Sequence, residues 1–476
     1  MATITLPIGT PRAHSAAIRP SAAVRRRRAE LWNLGATVAV WTTCLYVVAL
    51  WVAGGGVQAL FTGSADLLNS AGRLTGLVAS NLLLLQVLLM ARVPLFERGF
   101  GRDGMTRMHR LVGFWSFALL LTHIVLQTLG YAASAGLNPL VQLWQFVVDY
   151  PGMLLATAGT ALVILVALTS MKRARRRLRY ESWHLLHLYG YLGAGLALPH
   201  QLWTGSDFTA SVAATWYWWG LWILTAVAVI AYRVIVPLVR SRRHLLRVAS
   251  VTRDGADGVT VRMRGEGIAR LGAQPGQFFV WRFMDGPGWT RGHPFSLSAA
   301  PTGDELTISA RLVGDGTSRL AALRPGTRVH VEGPYGGFTG ERRRGRRMLM
   351  IGAGAGVAPL VSLLEGEPYA PGEAVILTRD TTPEAALRTE ALAALVRDRG
   401  VQHIALPGRR ARSGASWLPE SHARWNGVDA LRHLAPDVLE HEVYVCGPPD
   451  WADAVLHDLR AAGFPPERIH REAFAI

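Results

Sequence analysis

Four histidines at nearly equal intervals are the residues of this sequence whose type and spacing point most directly to chemistry. His109 and His123 are 14 residues apart, and His187 and His200 are 13 residues apart. On an α-helix these intervals separate the two imidazoles by about 21 and 19 Å along the axis. A zinc or copper site needs three or four ligands at one point, which such separations exclude. Two helices that each carry an upper and a lower imidazole can instead ligate two stacked haems, with one histidine from each helix per haem.

The second of these helices has two features that need an explanation. An ideal helix places His187 and His200 about 140° apart around its axis. Pro199 removes a backbone donor just before His200, so we expect a local kink that re-aims this imidazole. His184 is surplus to the pairing, and we expect it to hydrogen-bond to a haem propionate or a loop. The alternative for any one of these histidines is a packing role, bonded to polar groups of a neighbouring helix.

Apolar segments long enough to cross a membrane supply the helices that must hold the histidines. A span needs roughly 20 apolar residues, and of the 476 residues 50% are hydrophobic and only 17% are charged. The third and fifth candidate spans carry the histidines and run in the same direction, which predicts that His109 pairs with His187 and His123 with His200. The candidate spans lie near residues 32–53, 74–96, 109–131, 150–170, 183–203 and 215–238.

The positive charge of the chain is concentrated in this apolar half. The formal net charge is +17, and residues 1–247 hold 23 Lys and Arg against 7 Asp and Glu. The basic residues cluster in alternate loops, whereas the loops near 54–72, 132–149 and 204–214 contain no Lys or Arg. By the positive-inside rule, both termini face the cytoplasm of a multi-pass protein of the cell membrane. A nucleic-acid binder would carry its charge on a polar surface, so the predicted partner is the lipid bilayer and not nucleic acid.

The sequence predicts four parts with different architectures. A basic cytoplasmic tail at 1–31 precedes a six-helix all-α transmembrane bundle at 32–240. Short strands divided by Gly and Pro then predict an antiparallel β-barrel at 245–340. Strands, glycine turns and helices alternate over 345–476, which predicts a parallel α/β nucleotide-binding domain.

The predicted barrel contains residues that suit a flavin. A serine hydroxyl on extended backbone can bond an isoalloxazine edge, and an arginine followed by a helix start can hold a pyrophosphate. A plain strand–turn–strand is the alternative. The candidates are His293, Pro294, Phe295, Ser296, Arg311, Gly316, Thr317 and Ser318.

The predicted α/β domain contains residues that suit a nicotinamide dinucleotide. Glycines between a strand and a helix let a phosphate approach the backbone amides. Arg379 follows the second strand and can meet an adenosine 2′-phosphate, which favours NADPH, with NADH as the alternative. A small-residue turn after a later strand suits close approach of the nicotinamide. The candidates in the glycine loop are Gly352, Gly354, Gly356 and Pro359, and those in the later turn are Cys446, Gly447 and Pro448.

With these motifs, residues 32–476 resemble the ferric reductase and NADPH oxidase family of transmembrane flavocytochromes. The matching motifs are the two histidine pairs, His-Pro-Phe-Ser at 293–296, Val-Gly-Asp at 313–315, Glu-Gly-Pro-Tyr-Gly at 332–336, the glycine loop and Cys-Gly-Pro at 446–448. The resemblance implies two bis-histidine b haems in the six-helix core and a ferredoxin-NADP reductase-like half that holds FAD in the barrel and NADPH on the α/β domain. It also implies that Ser296 lies near the flavin ring, that Arg311 binds the FAD pyrophosphate, and that an aromatic near the C-terminus, here Phe474, covers the flavin.

Two polar residues near the outer surface are candidates for the acceptor side. Arg73 can clamp a haem propionate or an anionic substrate or product, with a snorkelling side chain as the alternative. Gln127 lies four residues after His123, where oxidase relatives carry a polar residue thought to help oxygen at the outer haem.

The resemblance implies electron transfer from cytosolic NADPH through FAD and two haems to an acceptor outside the cytoplasm. The acceptor we expect is O2, which would make the protein an NADPH oxidase that produces superoxide. A ferric-chelate reductase, and a relay subunit that serves a partner protein or a quinone, are the alternatives that the sequence leaves open.

Overall fold

A computed structural model describes residues 22–175, 177–178, 180–286, 289, 291–410, 416–422 and 424–473. Residues 1–21 of the predicted tail, Arg176 of a basic loop and the predicted flavin-covering Phe474 lie outside these ranges. The described chain runs from long helices through antiparallel strands to a parallel α/β unit.

The N-terminal half is helical throughout. Each predicted apolar segment falls on a long helix, and the interhelical packing is most extensive between α3 and α4 and between α6 and α8. The helices are α1 (Ala22–Ala53), α2 (Gly56–Ala59), α3 (Ser64–Met90), α4 (Pro94–Ala135), α5 (Pro139–Asp149), α6 (Met153–Ser170), α7 (Lys172–Arg175), α8 (Tyr180–Trp203), α9 (Val212–Ile230) and α10 (Val236–His244), the last two joined by a π-helical turn at Ala231–Ile235.

Within the described residues, four helical segments are long and apolar enough to cross a membrane. They are Ser64–Met90, Gly104–Ala135, Met153–Ser170 and Val212–His244. The apolar part of α1, Thr37–Ala53, is shorter, and the histidines of α8 make that helix less apolar. The count of six spans therefore stays a prediction.

Two segments that the sequence analysis assigned to loops are helical. The chain after Arg92 enters α4 at Pro94, because proline suits the first helical position, where its missing N–H costs nothing. The predicted outer loop at 132–149 contains the end of α4 and all of α5. The side chain of Asn138 caps α5 by accepting a hydrogen bond from the Leu140 amide at 2.9 Å.

Six strands between Arg247 and Tyr335 form two antiparallel sheets around one core. The strand orders are β1-β2-β5 and β4-β3-β6, and an isolated bridge between Leu297 and Ile308 links the sheets. Trp281, Phe279 and Met263 are fully buried between them. The strands are β1 (Arg247–Arg253), β2 (Gly258–Arg264), β3 (Phe278–Phe283), β4 (His293–Ser296), β5 (Glu305–Arg311) and β6 (Val329–Tyr335), with the helical turn α11 (Asp315–Ser318) after β5.

The remaining strands form a parallel sheet of order β11-β10-β7-β8-β9. All of its strands run in one direction, so the loops that follow them meet at one edge of the sheet, where α/β proteins bind nucleotides. The elements are β7 (Arg347–Ala353), α12 (Val357–Gly366), β8 (Ala374–Arg379), α13 (Thr389–Arg399), β9 (Gln402–Ala405), α14 (Gly427–Leu434), β10 (His441–Gly447), α15 (Pro449–Ala461) and β11 (Ile469–Ala473).

Candidate functional site

The four histidines of α4 and α8 meet as two pairs. The ring centroids of His109 and His187 are 5.9 Å apart, and those of His123 and His200 are 6.3 Å apart. Two imidazoles on opposite sides of one metal ion, with nitrogen–metal bonds of about 2 Å, have centroids roughly 6.4 Å apart. Both ring separations lie close to this value. In the described part of the chain no group of three or more His, Cys, Asp or Glu could hold a metal ion.

Helix α3 orients the imidazole of His123 through its backbone. The Nδ1–H of His123 donates to the carbonyl of Gly72 at 2.7 Å, which leaves Nε2 as the nitrogen for a ligand. The backbone of Gln86 lies near His109, but the buried Nδ1 of His109 has no hydrogen-bond partner among the described residues. Gly72 and Gln86 are 14 residues apart, the same interval as the two histidines, because α3 and α4 are antiparallel neighbours. Such a second hydrogen bond is how proteins set the tautomer of a metal-binding histidine.

The imidazoles of α8 have different surroundings. The Nδ1 of His187 lies 3.2 Å from the Ser170 hydroxyl. The Nδ1 of His200 is buried and has no hydrogen-bond partner among the described residues. Gly152 touches the backbone of His200 so closely that a Cβ there would lie 2.7 Å from its nitrogen. The α8 backbone is thus held against the start of α6, while the His200 ring remains available to a ligand.

Glycines make room for the outer pair. A Cβ on Gly76 would lie 2.5 Å from Nδ1 of His123, and one on Gly72 would lie 3.0 Å from Nε2 of Gln127. Neither distance is compatible with the present side-chain positions. The close approach of α3 to α4 therefore depends on these two glycines.

The structure gives both acceptor-side candidates protein partners. Arg73 forms a two-point ion pair with Asp207, with Nε 2.8 Å from one carboxylate oxygen and Nη2 hydrogen-bonded to the other. Gln127 donates to the carbonyl of Asn69 at 3.1 Å. Sequence reasoning missed Asp207, although it is a rare acid in a predicted outer loop. A cavity of about 110 Å³, lined mainly by apolar side chains such as Trp51 and Trp218, lies against Asp207.

Some of the flavin candidates of the β domain contact one another. Ser296 ends β4 and is 4% exposed, and its hydroxyl has no hydrogen-bond partner among the described residues. The imidazole of His293 fits against Gly316, where a Cβ would lie 2.7 Å from its Cε1. The Thr317 hydroxyl accepts the backbone amides of Val313 and Gly314 at 3.1 and 3.2 Å, which shapes the turn that was predicted to hold a pyrophosphate.

Arg311 lies at the seam between the β domain and the α/β domain. Its guanidinium pairs with Asp380 and donates to the carbonyl of Ala385 at 2.7 Å. Its buried Nε has no hydrogen-bond partner among the residues described. Burial raises the pKa of Asp380 to about 6 in spite of Arg311. The unbonded Ser296 hydroxyl and Arg311 Nε are groups that a bound flavin nucleotide would satisfy.

The glycine loop and the Cys-Gly-Pro turn pack against each other at the edge of the parallel sheet. A Cβ on Gly356 would lie 2.2 Å from the carbonyl oxygen of Cys446, and one on Gly447 would lie 2.7 Å from the ring of Trp451. Gly354 adopts φ +56°, a conformation that favours glycine. The Cys446 side chain is fully buried, and burial raises the pKa of its thiol. The turn therefore offers a ligand its backbone and small surface and not a thiolate.

The geometry does not support the predicted role of Arg379. This side chain is 6% exposed, and it donates to the carbonyls of Trp417 (3.3 Å), Gly408 (3.2 Å) and Leu406. Its guanidinium is used to hold the loop after β9, so it does not face a ligand. Arg409 on that loop is exposed, and sequence reasoning missed it because no motif marked it.

The ring of Trp115 does not lie between the histidine pairs. It is 53% exposed on the bundle surface and packs edge-on against Phe114 at 5.6 Å. A place between the two centres, which its position in the sequence allows, is therefore not observed.

Comparisons with known proteins match both halves of the chain. Residues 75–198 match the family model described as "Ferric reductase like transmembrane component". The ferredoxin reductase component of 3-ketosteroid-9-alpha-monooxygenase from Rhodococcus rhodochrous is 26% identical over 49% of this chain and 66% of that protein. The electron transfer subunit of dihydroorotate dehydrogenase B (NAD(+)) from Shouchella clausii is 35% identical over 26% of this chain and 49% of its own length. The chain thus spans less than two thirds of these relatives.

Comparison with solved structures gave matches over about half of this chain. A ferredoxin NADP+ reductase from Neisseria gonorrhoeae with bound FAD and NADP aligns with 48% of this chain and 97% of its own, at 20% identity and a TM-score of 0.40. A cytochrome P450 reductase from Amycolatopsis aligns with 48% of this chain and 69% of its own, at 23% identity and a TM-score of 0.40.

Proposed function

We propose that this chain carries electrons from NAD(P)H across the membrane, as a ferric reductase-like transmembrane component joined to a C-terminal ferredoxin reductase-like FAD/NAD-binding domain. The proposed route uses FAD in the β domain and two b haems in the helical bundle. The proposed acceptor is O2 on the outer side, which makes the protein a superoxide-producing oxidase.

The observation that supports this proposal is the arrangement of four histidines as two facing pairs. His109 with His187 and His123 with His200 have nearly the same ring separation, 5.9 and 6.3 Å. A single packing histidine has no reason to recur at this spacing on both helices. Four imidazoles arranged as two facing pairs suit two bis-histidine haems one above the other.

The C-terminal half of the chain supplies residues that would deliver electrons to the two haems. Ser296 and Arg311 would hold the flavin ring and pyrophosphate through their unbonded hydroxyl and Nε. The loop from Gly352 to Gly356 would present backbone amides to the nucleotide phosphates. When bound, FAD and the two haems would turn the hydride of NAD(P)H into single electrons and carry them one at a time. The small turn after β10 would let the nicotinamide reach the flavin.

On the outer side, the histidine pair decides where an acceptor can react. His123 and His200 would occupy both axial positions of the outer iron, so O2 would meet the edge of the porphyrin and not the metal. The ion pair of Arg73 with Asp207 holds a cation near this end of α3. Asp207 compensates this charge, so the pair by itself gives no preference for an anionic product.

Loss of one imidazole tests the haem assignment. Replacing His187 by alanine removes a ligand of the inner centre only, and should remove about half of the reduced b-type absorbance. Leu185→Ala is the matched control, because it removes a side chain of the same helix that is 63% exposed. Pyridine-haemochrome content per protein is the measurement. Equal haem in His187→Ala and wild type would refute the pairing.

An acceptor screen tests the product. Purified protein given FAD and NAD(P)H should reduce cytochrome c, and superoxide dismutase should abolish that reduction. Insensitivity to dismutase together with rapid ferrozine colour would identify ferric chelate as the acceptor. Failure of both reactions in haem-loaded protein would point to a partner protein or a quinone.

A further inference from the structure

The Glu-Gly-Pro-Tyr-Gly motif at 332–336 has a resolved structural setting but no part in the function proposed above. Glu332 lies on β6 and is only 4% exposed. Its carboxylate accepts hydrogen bonds from Arg92 at 2.5 Å, Tyr335 at 3.2 Å and Arg282 at 3.3 Å. A buried carboxylate with two guanidinium partners is costly to assemble and costly to break.

One of these partners comes from the helical bundle. Arg92 lies between α3 and α4 and adopts φ +64°, a left-handed conformation that is rare for residues other than glycine. In this conformation its guanidinium reaches Glu332 and also stacks over the ring of Tyr335, 4.6 Å from the centroid. Strained backbone of this kind persists where surrounding contacts hold it. Arg92 thus connects the bundle to the motif by an ion pair and a cation–π contact.

The end of the bundle makes a second attachment to the same strand. β6 lies at the edge of its sheet, in the order β4-β3-β6. The Ser241 hydroxyl of α10 accepts the amide of Val331 at 3.0 Å and lies 3.3 Å from its carbonyl. Arg240 donates to the carbonyl of Gly333. An open strand edge is thereby covered by the last helix of the bundle, so β6 is held from two separate points of the helical half.

The Glu332 cluster also lies beside the inner histidine pair. His184 is within electrostatic range of Arg92, Arg233 and Glu332, and it also interacts with His187. His184 is therefore within electrostatic range of both the inner pair and the motif. His184, which the predicted histidine pairs did not include, lies near this junction.

We propose that the Arg92–Glu332 pair is a positioning device that holds the flavin-binding β domain against the inner histidine pair, so that electrons pass from flavin to the inner haem. This inference rests on the proposed function. Arg92 and Glu332 are not among the residues proposed to ligate haem or to approach the nicotinamide, so they would act through the position of the domain. Their loss should slow transfer between the two halves without slowing the reduction of flavin.

The test compares Arg92→Ala, Arg92→Lys and Glu332→Gln with Arg173→Ala, a matched control at an exposed basic position of α7. Stopped-flow absorbance in FAD-loaded protein without oxygen follows flavin reduction and haem reduction separately. We expect flavin reduction and ferricyanide reduction within about twofold of wild type, and haem reduction slower by roughly tenfold or more in Arg92→Ala and Glu332→Gln. Arg92→Lys keeps the positive charge but not the planar guanidinium group. Its rate of haem reduction should lie between those of wild type and Arg92→Ala.

Hydrogen exchange gives a readout that does not depend on haem. The amides of Val329–Tyr335 should exchange faster in Arg92→Ala and Glu332→Gln, and not in Arg173→Ala. Haem reduction and exchange at wild-type rates in Arg92→Ala would overturn the proposal, as would an equal fall in flavin reduction, which would show a general structural defect. Wild-type protein without haem would refute the proposed function, and the exchange experiment would still decide whether the pair docks the domain.

Discussion

A single methyl group added to α3 should prevent haem binding at the proposed outer site. Gly76 faces His123, and a Cβ at this position would lie 2.5 Å from Nδ1 of the imidazole. The neighbouring carbonyl of Gly72 holds that same Nδ1 at 2.7 Å. Gly76→Ala must therefore push the ring away from its hydrogen-bond partner and from the position that faces His200.

The expected magnitude follows from the two contacts that change. Overpacking of a well-packed site costs about 1–3 kcal/mol, and the lost hydrogen bond costs about 1 kcal/mol. Loss of the partner that orients a metal-binding histidine typically weakens metal binding by about 10–100-fold. We therefore expect Gly76→Ala to lose most of the outer haem and to keep the inner one, so that about half of the b-type absorbance remains.

The measurement is pyridine-haemochrome content per protein after expression with excess haem. Gly220→Ala on α9 is the matched control, because no atom lies within 4 Å of a Cβ placed there, and it should leave the haem content unchanged. Full haem content and an unchanged reduced spectrum in Gly76→Ala would show that the contact does not orient a ligand.

Two further predictions concern the α/β domain. Arg409→Ala should raise the KM for NADPH several-fold with little change in the KM for NADH, as measured by steady-state kinetics with both coenzymes. Arg379→Ala should lower thermal stability without a preference between the coenzymes, because its guanidinium bonds backbone carbonyls, and thermal melts measure this. A selective NADPH defect in Arg379→Ala would contradict the prediction. Burial raises the pKa of Asp380 to about 6, so the folded protein binds a proton that the unfolded chain binds only near pH 4. The stability that this proton contributes is lost as pH rises from about 4 to 6, and Asp380→Asn should remove that part of the pH dependence, by up to about 2 kcal/mol in denaturant unfolding. Parallel pH profiles for variant and wild type would refute the assignment.

The histidine pairing could be predicted because it depends on helix geometry alone. An interval of 13 or 14 residues sets the axial separation of two side chains wherever the helix lies. The direction of the two spans then decides which histidines meet. The observed ring distances for His109 with His187 and for His123 with His200 match the predicted pairs. The carbonyl that orients the His123 ring comes from α3, and no local sequence pattern indicates it.

The surroundings of Arg379 could not be predicted, for a related reason. Its place after a strand predicted a side chain facing a nucleotide, but the loop after β9 folds over it and takes its donors. That loop is 27 residues or more away along the chain. Arg73 likewise forms an ion pair with Asp207, which is 134 residues away along the chain. Polar partners at such distances are chosen by packing and not by the neighbouring sequence.

By itself the sequence determined most of the helices and strands, the intervals of the histidines, the glycine turns and the asymmetry of charge between loops, since each depends on residues close together in the chain. It did not determine the helical structure of the loop that contains α5. Only the tertiary structure decided which charges pair, which arginines stay exposed, and that Arg92 and Glu332, 240 residues apart, join the bundle to the β domain. A guanidinium can satisfy any nearby acceptor, so its partner is known only once distant segments are packed together.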